Sequence, residues 1–440
     1  MAASGALRLR VTRGAAPSGA APYASDSPER DVRPEIHRRR GTATSLPSTP
    51  PRAGRPRHDR AHPGGSGPGT AHEPAQPRRG PGPSQGEDDG VTENLRVVVL
   101  GYGLAGSTFH APVIESVPGL RVAAVVTSNP ERAEQARGDI PGVRVLASAD
   151  EVWAQPEAYD AVVVATPNRS HAPLAAAAIE AGLPVVVDKP LAVTADEGQR
   201  LVDLAAERAV LLTVFQNRRW DADLLTVRRL LADGALGRVH RFESRFERWR
   251  PEPKAGWRES GSPEEAGGLL YDLGSHLIDQ ALHLFGPATS VYAEVDVRRT
   301  TVVVDDDVFV ALTHATGVRS HLWAGALTAQ LGPRFRVLGS EGGYVKHGMD
   351  PQEDALKAGG RPDAQGWGVE PEEAWGRLGV DGATTAVPTE AGAYQEFYAL
   401  LGKALRGEGP VPVDPAEAVT TLRVLEAARA SSAEGRVVQL

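Results

Sequence analysis

The chain has 440 residues, of which 41% are hydrophobic and 24% charged, with no cysteine and a formal net charge of −8. The absence of cysteine excludes a disulfide-stapled secreted domain, a cysteine enzyme and a cysteine-ligated zinc site. No apolar run reaches the roughly 18–20 residues of a membrane span, and the amino terminus does not read as a secretory signal. We therefore expect a cytoplasmic protein without a membrane partner, with enough apolar residues for a sizeable core.

The first 90 residues differ in composition from the remainder. They hold 14 of the 35 prolines and 14 arginines against nine acidic residues, whereas the remainder has 34 basic and 47 acidic residues. The segment has too few apolar residues for their burial to offset the conformational entropy that the chain loses on folding. Residues 1–92 are therefore predicted to be a disordered extension. Its arginines lack an aromatic platform for bases, and we expect no nucleic-acid partner. The alternative is that translation begins near Val91, in which case residues 1–90 are not part of the protein.

From residue 95 short apolar runs alternate with helix-like stretches. The predicted strands are residues 95–100, 122–126, 143–146, 160–165, 184–187 and 210–214. The predicted helices are residues 104–117, 130–137, 170–181 and 194–207. Strands that alternate with helices at this spacing indicate right-handed βαβ units and a parallel sheet, here in a first domain over residues 93–217.

The pattern changes after residue 218. A helix at 221–232 is followed by four runs of alternating hydrophobicity at 238–248, 290–298, 307–313 and 319–327. Alternation with period two predicts an antiparallel sheet with one covered face. We interpret residues 359–390, rich in glycine, proline and acid, as an irregular insertion, and 415–431 as a closing helix. The fold class is therefore α/β, with a large, mostly antiparallel open sheet in a second domain over 218–440.

A glycine-rich loop follows the first strand. Gly101, Gly103 and Gly106 have the spacing G-x-G-x-x-G and open a helix, which is typical of a Rossmann domain that binds the pyrophosphate of a dinucleotide. NAD sites usually place an acidic residue at the end of the second strand, but Thr127 and Ser128 stand there. Hydroxyls can donate hydrogen bonds to a 2′-phosphate and do not repel its charge. NADP is therefore the predicted cofactor, with NAD as the alternative.

Two further motifs carry candidate catalytic groups. The chain has 43 arginines and five lysines, so a lysine at the end of a strand, Lys189, is a specific choice, and Pro190 permits a cis bond that aims it into the cleft. Asp272 and His276 lie on one helical face, where the carboxylate can orient an imidazole that takes an alcohol proton. A metal site with Asp and His ligands, or a structural hydrogen-bonded cluster, is the alternative for this face. We expect no metal.

In these motifs the chain resembles the Gfo/Idh/MocA oxidoreductases. The resemblance covers residues 95–440 and rests on the glycine loop, Thr166-Pro167-Asn168 with His171, Asp188-Lys189-Pro190 in place of the more frequent Glu-Lys-Pro, and Asp272 with His276. It implies that His276 is the base, that Asp272 orients it, and that Lys189 holds the substrate and the nicotinamide ribose. The cofactor residues it implies are Gly101, Gly103, Leu104, Ala105, Gly106, Thr127, Ser128, Thr166, Pro167, Asn168, His171, Asp188 and Lys189.

The substrate residues are expected to follow the sixth strand and a later strand. Asn217, Arg219 and Trp220, with Arg248 and Trp257, offer donors and aromatic faces that suit a polyol. For the two tryptophans, anchoring in the core or at an interface is the alternative. Within the family the chain resembles the branch of NADP-dependent scyllo-inositol dehydrogenases. This implies hydride transfer to or from a polyol, inositol or sugar by a homo-oligomer, dimer or tetramer. A non-catalytic NADP or sugar sensor of the same fold is the other class.

Overall fold

The computed structural model describes residues 94–253 and 266–440. The predicted disordered extension and Trp257 lie outside the described residues. The helix that was predicted at 221–232 is observed as α6 (Ala222–Ala232). None of the helices in the two described ranges is long and apolar enough to cross a membrane.

The first sheet has six parallel strands in the order β3-β2-β1-β4-β5-β6, which confirms the predicted parallel sheet. Its strands are β1 (Leu95–Leu100), β2 (Leu120–Val126), β3 (Arg144–Leu146), β4 (Ala161–Val164), β5 (Val185–Asp188) and β6 (Leu212–Phe215). The central strands are buried on both faces, as helices on either side of a parallel sheet require. The helices between them are α1 (Ala111–Glu115), α2 (Pro130–Asp139), α3 (Asp150–Trp153), α4 (His171–Glu180) and α5 (Ala195–Arg208).

The helix after the glycine loop departs from the predicted single α-helix. It begins as a π-helical stretch, Ala105–His110, and only then continues as α1. A second π-helical stretch, Leu270–Gly274, precedes α7 (Ser275–Phe285). Insertions of this kind are frequent at functional sites, and each of these two carries residues of the candidate site or of its immediate support.

The second sheet has nine strands in the order β14-β13-β12-β11-β7-β10-β9-β8-β15. Only the β7–β10 pair is parallel among its described pairs, so the expected mostly antiparallel sheet is confirmed. Its strands are β7 (Val239–Glu247), β8 (Ala288–Asp296), β9 (Asp307–His314), β10 (Arg319–Gly325), β11 (Phe335–Gly339), β12 (Gly343–Lys346), β13 (Gly376–Val380), β14 (Ala383–Val387) and β15 (Val438–Gln439). The buried side chains of α7 share a core with the inner face of this sheet.

The prediction of an irregular insertion over residues 359–390 is wrong in part. β13 and β14 form a hairpin at the edge of the second sheet, next to β12. Most of their residues are exposed or half-buried, so they lack the apolar alternation by which a strand is recognised. A short helix, α8 (Gln352–Lys357), precedes the hairpin.

The last two helices return to the first sheet. In α9 (Gln395–Leu405), Phe397 and Leu401 are buried in the core that covers β1 and β2. The backbone N–H of Ala195, at the start of α5, donates to Glu426 on α10 (Pro415–Glu434) over 2.7 Å. The N–H of Ala293 on β8 donates to Ser431 of the same helix over 3.0 Å. The predicted closing helix therefore joins the two sheets.

Candidate active site

The glycine loop is tightly packed on one side and open on the other. Gly101 has φ +93°, and a Cβ there would lie 2.6 Å from the carbonyl oxygen of Ala165. A Cβ at Gly106 would lie 2.0 Å from the oxygen of Gly101, so neither position accepts a larger residue. At Gly103 the nearest atom is 3.7 Å away, in the guanidinium of Arg132. The backbone at Gly103 is therefore accessible to a phosphate, as dinucleotide binding requires.

A pocket of about 550 Å³ opens over this loop, within the size range of cofactor sites. Ten of the predicted cofactor residues line it: Gly101, Gly103, Leu104, Ala105, Thr127, Ser128, Thr166, Pro167, Asn168 and Asp188. Three lining residues that were not predicted, Ala147, Ser148 and Ala149, follow β3. Their position after a strand of the parallel sheet is the signal by which they could have been found, because ligands bind at the carboxyl ends of such strands.

One end of the pocket is polar, and the acid among its described lining residues, Asp188, lies at the end of β5 and not of β2. Thr127 and Ser128 follow β2, and Arg132 of α2 lines the same pocket. Asn129 caps α2 by accepting a hydrogen bond from the backbone N–H of Arg132 over 3.0 Å. The helix therefore begins at a fixed place and brings one cation beside two hydroxyls, a set of groups that fits a phosphate.

His171 ties together two loops of the pocket. It is fully buried, with Nδ1 2.8 Å from the carbonyl oxygen of Pro190 and Nε2 2.8 Å from that of Thr166. These carbonyls belong to the loops that follow β5 and β4. The structure thus places His171 behind the pocket wall, where it fixes backbone positions on both loops.

Lys189 and Asp272 are brought together from positions 83 residues apart. Nζ of Lys189 donates to the backbone oxygen of Asp272 over 2.6 Å and lies 3.1 Å from its Oδ1. The peptide bond between Lys189 and Pro190 is cis, the form that the sequence analysis considered for this proline. Sequence reasoning paired Asp272 with His276 and missed this contact with the lysine. The contact joins the end of β5 to the helix that carries His276.

The helix that bears Asp272 and His276 is fixed at its start. Asp305 accepts a hydrogen bond from the backbone N–H of Leu270 over 2.6 Å, and its carbonyl oxygen accepts from Leu269 over 2.9 Å. Asp272 lies in the π-helical stretch and His276 one turn later, where its side chain is 6% exposed. The orientation of His276 by Asp272 remains a prediction.

Two of the predicted substrate residues are engaged elsewhere. The guanidinium of Arg219 pairs with both oxygens of Asp279 at 2.6 and 2.9 Å and with Glu417 at 2.6 Å. Burial opposes its charge, but these carboxylates raise the pKa of Arg219 above its ordinary value. Trp220 packs edge-on against Phe397, with ring centroids 5.7 Å apart, in the core beside the first sheet. This geometry favours the core-anchor alternative for Trp220.

Arg248 has a different environment. Within the described ranges its guanidinium has no hydrogen-bond or ion-pair partner and lies 5.4 Å from the ring centroid of Phe246. Burial and the neighbouring Arg250 lower the pKa of Arg248, whereas the carboxylate of Asp272 raises it. The guanidinium therefore lies within electrostatic range of the Asp272 carboxylate and has donors available for a ligand. Asn217 is buried at the end of β6, in the turn that also holds Arg219.

A parallel sheet with this glycine loop and pocket, joined to an open-sheet domain that contributes Asp272, defines a two-domain nucleotide-binding oxidoreductase. Two family models match the chain. The model described as "Oxidoreductase family, NAD-binding Rossmann fold" matches residues 95–216, and "Oxidoreductase family, C-terminal alpha/beta domain" matches residues 228–440. The chain belongs to the Gfo/Idh/MocA oxidoreductase family, and the resemblance that its motifs indicated is confirmed.

The chain aligns with nearly the whole length of several similar proteins. The scyllo-inositol 2-dehydrogenase (NADP(+)) IolW of Bacillus subtilis is 37% identical, over 79% of this chain and 96% of its own. The oxidoreductase YdgJ of Escherichia coli is 39% identical, over 76% and 96%. The solved structure of the oxidoreductase yvaA from Bacillus subtilis has a TM-score of 0.75 at 36% identity, over 79% and 99%.

Proposed function

We propose that this protein is an NADP-preferring dehydrogenase that transfers hydride between nicotinamide and a CH–OH group of a polyol, an inositol or a sugar. Its family and the relative IolW support this assignment. The observation that carries it is the contact between Nζ of Lys189 and Asp272. Nζ of Lys189 thereby contacts the helix of His276, and the adjacent Asp188 lines the cofactor pocket. An ammonium in this position supports an enzyme, because a passive sensor does not need one.

In this proposal the tasks are divided among His276, Lys189 and Asp272. The bound nicotinamide supplies the hydride acceptor or donor. His276 takes the hydroxyl proton; its Nδ1 is buried, so Nε2 is the nitrogen for proton transfer. Two of the three Nζ donors of Lys189 contact Asp272, and the third is available to the substrate oxygen. Asp272 balances the ammonium and stabilises the imidazolium form of His276.

NADP preference follows from the pocket end that contains Thr127, Ser128 and Arg132. A guanidinium forms strong hydrogen bonds with a phosphate, and a carboxylate there would instead bind the 2′-hydroxyl of NAD. The name of IolW, which specifies NADP(+), agrees with this assignment.

A neutral polyol is the proposed substrate class. Arg248 carries several fixed N–H donors, and Asn217 adds an amide, so together they offer donors to adjacent hydroxyls. Arg219 is assigned a structural role, because its donors are occupied by Asp279 and Glu417.

The protein is further proposed to be a homo-oligomer, dimer or tetramer, which associates through the face of the second sheet opposite α7. Phe309 and Trp323 form an aromatic pair on that face, with centroids 5.2 Å apart, and Arg245 stacks on Trp323 at 4.0 Å. Sedimentation velocity on Trp323→Glu tests this, since a charge at the interface should shift the protein toward monomer. An unchanged sedimentation coefficient would contradict the assignment of this face.

The activity is tested with a panel of inositols, sugars and acyclic polyols, each with NADP and with NAD, by absorbance of the reduced nicotinamide. We expect turnover with at least one neutral polyol and a higher kcat/KM with NADP. Turnover of acidic or amine substrates alone would overturn the substrate class. Tight cofactor binding without turnover of any compound would favour the sensor.

A further inference from the structure

His110 is a buried histidine to which the proposed mechanism gives no task. It ends the π-helical stretch after the glycine loop and is 0% exposed. Its ring lies 4.4 Å from the ring centroid of Phe215 at the end of β6. Nδ1 is 2.5 Å from the hydroxyl of Tyr398 on α9, and Nε2 is 3.9 Å from Oδ1 of Asp188. The imidazole therefore stands between a helix from the end of the chain and a residue of the cofactor pocket.

The contacts of His110 select one tautomer. Burial lowers its pKa to about 4, outweighing the opposite effect of the Asp188 carboxylate; His171 lowers it further. The ring is therefore neutral near pH 7 and carries a single N–H. Burial also raises the pKa of Tyr398 well above its ordinary value, so the phenol stays protonated. Because the carboxylate of Asp188 near Nε2 can only accept, the geometry favours a hydrogen bond from the Tyr398 hydroxyl to Nδ1. The hydrogen of the imidazole is then on Nε2, the nitrogen that faces Asp188.

The separation between Nε2 and Asp188 is an incomplete interaction. Among the described residues Nε2 is buried without a hydrogen-bond partner. A distance of 3.9 Å is too long for a direct N–H···O bond, and a bridging water needs about 4.5 Å, because two bonds of about 2.8 Å meet at a bent angle at the water oxygen. Asp188 is the partner with space to rotate, because its side chain is 15% exposed and lines the pocket, whereas His110 is fully buried. A small rotation of its carboxylate closes the gap.

Asp188 connects this interaction to the catalytic lysine. Its Oδ1 accepts a hydrogen bond from the backbone N–H of Lys189 over 2.8 Å. We propose that His110 is a positioning residue of the cofactor site, whose Nε2–H donates to Asp188 in the dinucleotide-bound protein and thereby fixes this carboxylate and the backbone of Lys189. The inference rests on the proposed function only in that the pocket takes a nicotinamide dinucleotide.

The test is a double-mutant cycle on cofactor affinity. His110→Phe keeps the ring and removes both nitrogens, and Asp188→Asn keeps the shape and removes the charge. Isothermal titration of NADP into the full-length wild type, both single variants and the double variant gives four values of Kd. We expect each single change to raise Kd about tenfold and the double change to raise it little further, because interacting residues are non-additive. Fully additive effects would overturn the proposal.

Two additional measurements separate positioning from mere loss of a buried histidine. Imidazole ¹⁵N spectra should show His110 as the Nε2–H tautomer, with a signal that shifts when NADP is added; an Nδ1–H tautomer would overturn the proposal. His314→Phe is the matched control, since His314 is buried in the second domain with Nδ1 and Nε2 each 2.8 Å from an oxygen. This control variant should have a lower Tm and an unchanged Kd for NADP. An equal loss of affinity in the control would contradict the assignment of a positioning role to His110.

Tyr398→Phe keeps the test decisive if His110→Phe does not fold. It removes the hydroxyl that fixes the tautomer, so we expect a smaller increase in Kd that again disappears in the Asp188→Asn background; an additive increase would overturn the inference. Wild-type protein that binds neither NADP nor NAD would overturn the proposed function and this inference together. Wild-type binding with additive variants overturns this inference alone.

Discussion

His276 lies one helical turn beyond Asp272 and on a different domain from the glycine loop, so it is expected to affect turnover without affecting cofactor binding. His276→Ala should lower kcat by about 10²–10⁴-fold, the usual contribution of a general base, with the Kd of NADP unchanged. Asp272→Asn should lose less, because the imidazole remains. Lys189→Ala should impair both quantities. Steady-state kinetics and titration calorimetry on the three variants measure these effects; near wild-type turnover in His276→Ala would make the helix structural.

Cofactor preference depends on the groups near Thr127. Ser128→Asp introduces a carboxylate that repels the 2′-phosphate and accepts a hydrogen bond from the 2′-hydroxyl, so it should shift the ratio of kcat/KM values toward NAD. Arg132→Ala should raise KM for NADP about tenfold and leave KM for NAD nearly unchanged, since one charged hydrogen bond is lost. A wild type with clearly higher kcat/KM for NAD would refute the assignment.

At the scale of residues, sequence predicted what depends on local backbone geometry. The glycine spacing and the residues after β2, β4 and β5 largely supplied the lining of the pocket. The sequence could not predict contacts that depend on tertiary packing. Examples are Tyr398 with His110, 288 residues away, and Glu417 with Arg219, 198 residues away. An arginine near a cleft gives the same sequence pattern whether its guanidinium pairs with carboxylates of the protein or binds a ligand.

At the scale of elements, the turn after β6 is held to α7 by the pair of Arg219 and Asp279, both almost completely buried. Removal of one partner leaves a buried charge, so Arg219→Ala should lower the free energy of unfolding by about 3–5 kcal/mol. Arg298→Ala is the matched control, because its pairs with Asp296 and Asp307 are exposed and such pairs contribute about 0–1 kcal/mol. Chemical denaturation measures both; equal losses would show that Arg219 does not brace the turn.

The elements that sequence missed include peripheral ones. The β13–β14 hairpin at the sheet edge and the short α8 bury few side chains, so selection for an apolar pattern is weak there. The central strands of the first sheet are buried on both faces and were predicted close to their observed bounds. Burial alone does not decide the outcome, because β11, β12 and α9 were also missed although Phe335, Tyr344 and Phe397 are fully buried.

At the scale of the whole molecule, residues 1–90 are predicted to be dispensable. They have few apolar residues and many prolines and arginines, whereas the candidate site is built from residues beyond 94. A protein that begins at residue 91 should keep its kcat and its Tm within the error of the full chain. Parallel kinetics and calorimetry on both lengths check this, and loss of activity or solubility on truncation would show that the extension contributes.

Global stability should also decrease in mild acid. The pKa of His110 is about 4 in the folded chain against an ordinary value of 6.5, so the folded state resists protonation and the unfolded state does not. The contribution of neutral His110 to the free energy of unfolding is complete above pH 6.5 and is lost as the pH falls toward 4. The loss is about 3 kcal/mol, at 1.36 kcal/mol per pKa unit. Denaturation at pH 7 and pH 4 measures the loss. His110→Phe should reduce this difference, and an unchanged difference would contradict the assignment.

The position of α9 and α10 at the end of the chain has a consequence for synthesis on the ribosome. The first sheet is complete in sequence by residue 215, but part of the apolar surface over β1 and β2 is covered by Phe397 and Leu401, and α5 is joined to Glu426. About 200 further residues must therefore be translated before that surface is covered, which at about 5–20 residues per second takes some ten to forty seconds. During this interval the nascent chain exposes apolar surface that the folded protein buries. Exchange of the first domain between relatives must therefore include the last helices.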